Sequence, residues 1–302
     1  MIIAVDHGYG YMKTVHFAFP TGIVKYEHEP YTLQKTLAYQ GAFYVCGSGR
    51  QSIVRDKTRD DSYYLLTLAA IAKEMKYRTG ALQGEIVLAA GLPLTRFGLD
   101  KESFKAYLLH PQDTQTFHFE GEPYAVRITN VLLYPQGYSA VVGSIQELRR
   151  EPSVVICDIG SWTIDVMRLD NGIPNADACR SLELGMIRCV NEITEQVRRG
   201  TGLSVTDAQA ESILLGKSGS ADSEVCRIVT ENGEAYAQRI VNTLLESGFD
   251  VKAVPVVFLG GGARFIERYA DPKQFCAPRF ITDIHANAKG YEYIAKQAYP
   301  DE

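Results

Sequence analysis

Residues 2–13 of this 302-residue chain read IIAVDHGYGYMK, and residues 153–165 read SVVICDIGSWTID. Each begins with an apolar run that is typical of a buried strand, continues through Asp-x-Gly, and returns after a short turn to a second strand. In both stretches a charged residue, Lys13 or Asp165, follows the aspartate by seven positions. One such motif is ordinary for a β-turn, but two at matched spacing predict an internal duplication.

The chemistry of the two turns indicates phosphate binding. Glycine at the bend lets main-chain N–H groups approach phosphate oxygens, because no Cβ intervenes. Asp6 and Asp158, at the ends of the two strands, can hold a hydrated Mg²⁺ that bridges phosphates. A third segment, residues 260–262, places three glycines after an apolar strand at 254–259. Three glycines favour close approach of a ligand, whereas a plain strand-to-helix turn needs one or two.

The composition excludes several classes of protein. With 46% hydrophobic and 22% charged residues, the chain is neither disordered, collagenous nor a coiled coil. Its net charge of −5 argues against a basic surface that binds nucleic acid directly. The six cysteines form neither CxxC pairs nor zinc-ligand spacings, which indicates a reducing compartment. The first residues lack a signal peptide's cationic region, and no apolar run approaches the roughly 20 residues of a membrane span. We therefore expect a cytoplasmic protein without membrane contact.

Strands and helices alternate along the chain, which predicts an α/β protein of two domains. A polar break at 149–152 precedes the second motif, so the domains are placed at 1–150 and 151–284, with a terminal helix at 285–302. Lys13–Phe19 is predicted to be one strand. Helical spacing predicts the following helices: Ser62–Tyr77, Gln136–Leu148, Ile187–Arg199, Thr206–Leu215 and Ser223–Glu246, the last with a break at Gly233.

The two Asp-x-Gly turns, followed by the glycine run at 260–262, resemble in this order the motifs of the actin/Hsp70/sugar-kinase ATPase superfamily. The Pro-Gln-Gly at 135–137, the Asn-Ala-x-Gly at 287–290 and the compact length most resemble bacterial actin-like plasmid-partitioning proteins of the ParM/StbA type. The resemblance covers nearly the whole chain, although about 187–250 matches by helical character only. It implies two duplicated RNase-H-like, actin-fold domains with a nucleotide cleft between them. It also implies a helical subdomain at about 187–250 and a C-terminal helix that packs back on the first domain.

The resemblance further implies roles for individual residues. Asp6 and Asp158 would hold Mg²⁺ and its waters, Lys13 would contact the phosphates, and Gln136 would orient the attacking water, with Asp158 as the second catalytic residue. The turn residues that would contact ATP or GTP are Gly8, Tyr9, Gly10, Gly160, Ser161, Trp162 and Thr163. The adenosine contacts would come from Gly260, Gly261, Gly262 and Glu211.

Each of these roles has a plain structural alternative. Tyr9 and Trp162 could pack rather than contact nucleotide, and Lys13 could be a solvated strand residue. Gln136 could begin a helix. Asp165 could be a cross-strand charge. The duplication favours function for the two aspartates.

The predicted function is that of an ATPase that forms filaments by self-association and segregates plasmid DNA. Because the chain is acidic, it would reach DNA through a basic adaptor protein bound at a centromere-like site. Two alternatives stay open. One is a small-molecule kinase of the same superfamily, for which Asp100 is the candidate base, and the other is a nucleotide switch that does not polymerise.

Overall fold

The structure, a computed structural model, describes residues 1–51, 56–217 and 219–299. Over these residues the chain forms two compact units. The first comprises Met1–Gly143 together with the segment that begins at His285, and the second comprises Ser144–Ile284. The division after Gly143 lies a few residues before the polar break at 149–152.

Strands and helices alternate in both units. The strands are β1 Ile2–His7, β2 Tyr11–Lys13, β3 Ala18–Pro20, β4 Ile23–Tyr26, β5 Thr36–Tyr39, β6 Ala42–Cys46, β7 Gln83–Leu92, β8 Gln115–Phe119, β9 Glu122–Pro135, β10 Ser153–Ile159, β11 Ile164–Asp170, β12 Ile173–Leu182, β13 Pro255–Leu259 and β14 Cys276–Ile281. The helices are α1 Ser62–Arg78, α2 Leu94–Leu109, α3 Tyr138–Val141, α4 Ile145–Leu148, α5 Met186–Thr201, α6 Asp207–Leu214, α7 Ser223–Glu246, α8 Ala263–Tyr269 and α9 Ala286–Ala298.

The sheets of the two units share one arrangement of five strands. In the described part of the first unit the order is β3-β2-β1-β7-β9-β8-β5-β6-β4, and in the second it is β12-β11-β10-β13-β14. In each, consecutive strands among the first three of this order are antiparallel. The fourth strand pairs in parallel with β1 or β10, and the fifth pairs in parallel with the fourth. The predicted α/β fold with an internal duplication is therefore confirmed. The first unit extends its sheet by four further strands.

The position of β1 in the sheet explains why the apolar run at 2–5 is continuous rather than alternating. Ile3 and Val5 join the cluster that includes α1. Ile2 and Ala4 lie on the opposite face, in a cluster with Tyr291 of α9. A central strand covered on both faces needs apolar residues at every position.

The second unit has its own core. One face of β10 packs with residues of α5, α7 and α8 in a single cluster. Helix α7 runs without a break through Gly233, so the predicted interruption there is wrong. A Cβ at Gly233 would lie 3.1 Å from Leu214 and 3.2 Å from Tyr269, which explains why a small residue stands at this position.

Two further element predictions are wrong. Lys13–Phe19 is not one strand, because Thr14 and Phe17 close a turn between β2 and β3 through Thr14 N–H to Phe17 O at 2.7 Å. Gln136–Leu148 is not one helix, because Gly137 has φ of +75° and a 3₁₀ turn separates α3 from α4. Helix α2 and strand β14 were not predicted. Within the described ranges, no helix combines the length and apolar character needed to cross a membrane.

Candidate phosphate-binding site

The first turn joins β1 to β2 and places Asp6 directly opposite Lys13 in the antiparallel register. Lys13 Nζ lies 3.2 Å from Asp6 Oδ2. The other oxygen, Oδ1, accepts a hydrogen bond of 2.8 Å from Gln136 Nε2. Gln136 reaches this position because it follows the last residue of β9, and its main-chain N–H donates to Leu92 O at the end of β7. Three predicted site residues therefore lie together in the first unit.

Asp6 is ionised in this setting. Only 2% of the Asp6 surface is exposed, and this burial disfavours the charged form of its carboxyl group. The nearby charges of Lys13 and Lys57 and the hydrogen bond from Gln136 outweigh it and hold the pKa of Asp6 below its usual value. A buried carboxylate that stays charged can bind a cation or orient a donor.

Four consecutive main-chain carbonyls of the first turn accept hydrogen bonds from other parts of the unit. The bonds are Lys57 Nζ to His7 O, Tyr63 Oη to Gly8 O at 3.2 Å, Thr21 Oγ1 to Tyr9 O at 2.8 Å, and Thr21 N to Gly10 O at 3.1 Å. In a trans peptide the carbonyl and the following N–H point in opposite directions. The N–H of Gly8 donates back to Asp6 O at 3.1 Å. The turn therefore directs its carbonyls into the unit and the N–H groups of Tyr9, Gly10 and Tyr11 away from these partners, as an anion site requires.

The second turn, between β10 and β11, has the same geometry with a different charge. Asp158 lies opposite Asp165, so Asp165 stands where the first unit has Lys13. Thr163 Oγ1 donates to Asp165 at 3.0 Å, and the Ser181 hydroxyl also donates to it. Asp165 thus orients two hydroxyl groups beside the turn. The duplication preserves the backbone and the first aspartate but not the charge opposite it.

The carbonyls of the second turn face the N-terminus of α5. The bonds are Met186 N to Gly160 O at 3.1 Å, Ile187 N to Ser161 O at 2.8 Å and Gly185 N to Trp162 O at 2.9 Å. Gly185 packs so closely that a Cβ there would lie 2.3 Å from the carbonyl carbon of Trp162. The same peptide geometry therefore turns the following N–H groups, those of Ser161 to Thr163, away from α5.

The three glycines after β13 do not share one environment. Gly260 has φ of +84°, and a Cβ there would lie 2.4 Å from Asp158 Oδ1. A Cβ on Gly262 would lie 2.2 Å from Ile159 Cγ2, whereas one on Gly261 would meet nothing within 4 Å. Packing against the second hairpin thus accounts for two of the glycines, and Gly261 alone has open space beside it among the three.

The remaining predicted residues are spread over both turns and one helix. Tyr9 and Trp162 are each half-buried in their turns. Lys57 Nζ lies 4.6 Å from the centre of the Tyr9 ring, so Tyr9 packs on a cation of its own unit. Glu211 is half-buried on α6, which packs against α5 and α7.

Two family models match the chain and identify its protein family. Residues 4–138 match a model described as the N-terminal domain of actin-like proteins. Residues 156–270 match the C-terminal model of the archaeal MreB-like actin homologue. The chain is an actin-like protein. The superfamily predicted from the two aspartate motifs is therefore confirmed.

Solved structures share the fold of this actin-like protein over its full length. The archaeal actin homologue Ta0583 in complex with ADP is 21% identical, with 98% of this chain and 99% of that chain covered and a TM-score of 0.75. Bacillus thuringiensis ParM with ATP is 17% identical, with 99% of each chain covered and a TM-score of 0.68. The Alp12 filament structure is 15% identical, covers 99% of this chain and 98% of that chain, and has a TM-score of 0.67. No curated protein matches the sequence.

In this actin-like protein, three further residues bond to the first turn, and their contacts were not predicted from the sequence. Thr21, Lys57 and Tyr63 each donate to a turn carbonyl. Lys57 lies in the polar segment DKTRDD at 56–61, where a lysine among other charged residues indicates only a solvated loop. Thr21 stands between proline and glycine, a pattern that predicts a turn and nothing more.

Proposed function

We propose that this actin-like protein is an ATPase that forms filaments and segregates plasmid DNA through an adaptor. The observation that carries the nucleotide part is the pair of equivalent turns, each with an aspartate at the strand end and with carbonyls bonded on the side away from the N–H groups. Phosphate groups are the ligands that each of these turns suits. ATP and GTP both meet this requirement.

The residues near the first turn suit phosphoryl transfer to water. Lys13 supplies positive charge to phosphate oxygens, and the Gln136 side chain orients the attacking water without taking its proton. Asp6 holds both side chains through its two oxygens, with the Lys13 contact at 3.2 Å and the Gln136 contact at 2.8 Å. Catalysis then rests on positioning and on electrostatic stabilisation of the transferred group.

Mg²⁺ fits the donor chemistry of this protein as a partly hydrated ion. Within the described residues, no group of three or more His, Cys, Asp or Glu side chains could hold a metal by itself. Mg²⁺ commonly binds through one or two carboxylates and substrate phosphates rather than through an all-protein cage. We assign the carboxylates of Asp6 and Asp158 to this ion. Bound there, Mg²⁺ would neutralise charge on the phosphates.

The filament and plasmid parts of the proposal have separate support. The fold is shared with a protein solved as a filament, Alp12, and with ParM proteins. The acidic net charge of −5 suits an indirect link to DNA, through a basic adaptor. In this scheme, nucleotide binding favours subunit addition, and hydrolysis weakens the contacts between subunits.

The kinase alternative is less consistent with the structure. Asp100, its candidate base, receives Arg96 Nε at 2.5 Å and Arg96 Nη2 at 2.9 Å, one bond on each carboxylate oxygen. This is an i,i+4 ion pair on α2. A carboxylate engaged in this way is poorly prepared to accept a proton from a substrate hydroxyl.

The test combines hydrolysis with assembly. Native protein and the Asp158→Ala variant are incubated with ATP and Mg²⁺, phosphate release is measured, and polymer is followed by pelleting and electron microscopy. We expect native filaments and a loss of roughly a hundredfold in hydrolysis for the variant. The exposed Asp177→Ala variant, in the same unit, should behave as native. Nucleotide binding without polymer at any concentration would favour the non-polymerising switch, and phosphate transfer to a sugar would favour the kinase.

A further inference from the structure

Thr21 is a fully buried polar residue directly behind the first turn, with 0% of its surface exposed. It makes two hydrogen bonds to that turn: its hydroxyl donates to Tyr9 O at 2.8 Å and its main-chain N–H donates to Gly10 O at 3.1 Å. We infer that Thr21 is a positioning residue that holds the Tyr9–Gly10 turn in its phosphate-binding conformation. The inference rests on the proposed nucleotide binding.

The main chain at Thr21 is fixed independently of its hydroxyl. The next residue, Gly22, donates from N–H to Gly49 O at 2.9 Å and accepts from Gly47 N–H at 2.7 Å. A Cβ on Gly22 would lie 2.1 Å from Ser48 O, so the two segments are in direct backbone contact. The segment at 21–22 is therefore held between the turn and the loop at 47–49, and removal of the Thr21 hydroxyl should leave it in place.

The hydroxyl decides the orientation of one peptide plane. While Tyr9 O accepts from Thr21, the N–H of Gly10 in the same trans peptide points to the other side. Without the hydroxyl, the Tyr9 carbonyl loses its buried partner. The plane can then rotate at little steric cost, because Gly10 has no Cβ. The N–H that would face phosphate is no longer held in one direction, and the turn must be ordered again at each binding event.

The matched pair Thr21→Val and Thr21→Ser separates the hydroxyl from the volume of the side chain. Valine has nearly the shape of threonine and no hydroxyl, whereas serine keeps the hydroxyl. Affinities for ATP and for adenosine are measured with Mg²⁺ present, below the concentration at which polymer forms. We expect Thr21→Val to bind ATP about tenfold more weakly, which corresponds to about 1.4 kcal/mol. Adenosine affinity should stay unchanged, since adenosine carries no phosphate. Thr21→Ser should bind ATP within about twofold of native, and circular dichroism checks that each variant is folded.

Two results would overturn the inference: a folded Thr21→Val that binds ATP as tightly as native, or equal losses of ATP and adenosine affinity, which would indicate a general disturbance. If Thr21→Val does not fold, Thr21→Ala against Thr21→Ser provides the same comparison. Failure of the native protein itself to bind ATP would overturn the proposed function, and this outcome is recognised before any variant is made.

Discussion

Gln136 Nε2 lies 2.8 Å from Asp6 Oδ1, although the two residues are 130 positions apart in the chain. Asp6 is the penultimate residue of β1 and Gln136 follows β9. Strand β7 lies between these two strands and pairs with both in parallel. Because the three strands are parallel, their carboxyl ends meet at one edge of the sheet. The contact joins the predicted metal ligand to the residue predicted to orient water.

Because Gln136 donates a hydrogen bond to the Asp6 carboxylate, we predict that a glutamate at position 136 lowers both stability and ATP hydrolysis. Gln136→Glu would place a second carboxylate beside the buried Asp6 carboxylate, where like charges cannot both ionise freely. We expect the free energy of unfolding at pH 7 to fall by about 1–3 kcal/mol, with slower ATP hydrolysis. Urea unfolding and phosphate release measure the two effects. The exposed Gln146→Glu variant serves as the control and should match native; equal behaviour of the two variants would contradict the prediction.

Lys57 is predicted to stabilise the first turn. It is buried, donates to His7 O and lies 4.6 Å from the Tyr9 ring centre. Lys57→Met keeps most of the side-chain volume but removes the charge and the donor. We expect a loss of about 1–3 kcal/mol in the free energy of unfolding, because a buried carbonyl loses its partner, together with weaker ATP binding. Lys25→Met, at an exposed position of β4, changes neither if the reasoning holds. A stable Lys57→Met variant with native ATP affinity would rule this role out.

The two glycines that end the 260–262 run should respond differently to alanine. Gly262→Ala would bring a Cβ to within 2.2 Å of Ile159, so we expect it to cost about 1–3 kcal/mol of stability. Gly261→Ala meets nothing within 4 Å and should leave the thermal midpoint unchanged. If Gly261 faces nucleotide, its alanine variant should still weaken ATP binding. Thermal unfolding and ATP titration of both variants distinguish packing from ligand contact, and equal melting points for the two would disprove the packing argument.

His7 should lower the free energy of unfolding as the pH falls below about 6.5. Burial, followed by the charge of Lys57, lowers the pKa of His7 from 6.5 to about 3. Between these values the unfolded chain binds a proton that the native protein does not, so stability rises with pH across this window and is lost as the pH falls. The slope approaches about 1.4 kcal/mol per pH unit for one such group.

Urea unfolding at pH 7, 6 and 5 measures this dependence. His7→Gln should flatten the curve between pH 6 and 5, whereas the exposed His28→Gln should not change it. The lowered pKa of Asp6 acts in the same direction, but only near and below its ordinary value of 3.8. An unchanged slope in His7→Gln would therefore show that His7 is not the group responsible.

Local sequence patterns were sufficient to predict the repeated motif and several helices. The apolar run before each aspartate and the glycine after it identify a strand followed by a turn, because strand burial and glycine's freedom act over a few residues. Helices α1, α5 and α7 were predicted because each has apolar residues at helical spacing. Helix α2 was missed, and only Phe104 and Leu108 of its sixteen residues are buried, so its apolar periodicity is weak.

The two aspartates, the turns that follow them and the duplication can be predicted from the sequence, because each copy of the motif lies within about a dozen consecutive residues. The groups that surround those turns are set by the tertiary structure. Thr21 and Lys57 reach the first turn, and the amides at the start of α5 reach the second, through hydrogen bonds that join distant segments. The strand register of the folded units likewise places Asp165 opposite Asp158 and Lys13 opposite Asp6. Such contacts follow from the order of strands in a sheet, which is set by packing of the whole unit rather than by any local preference.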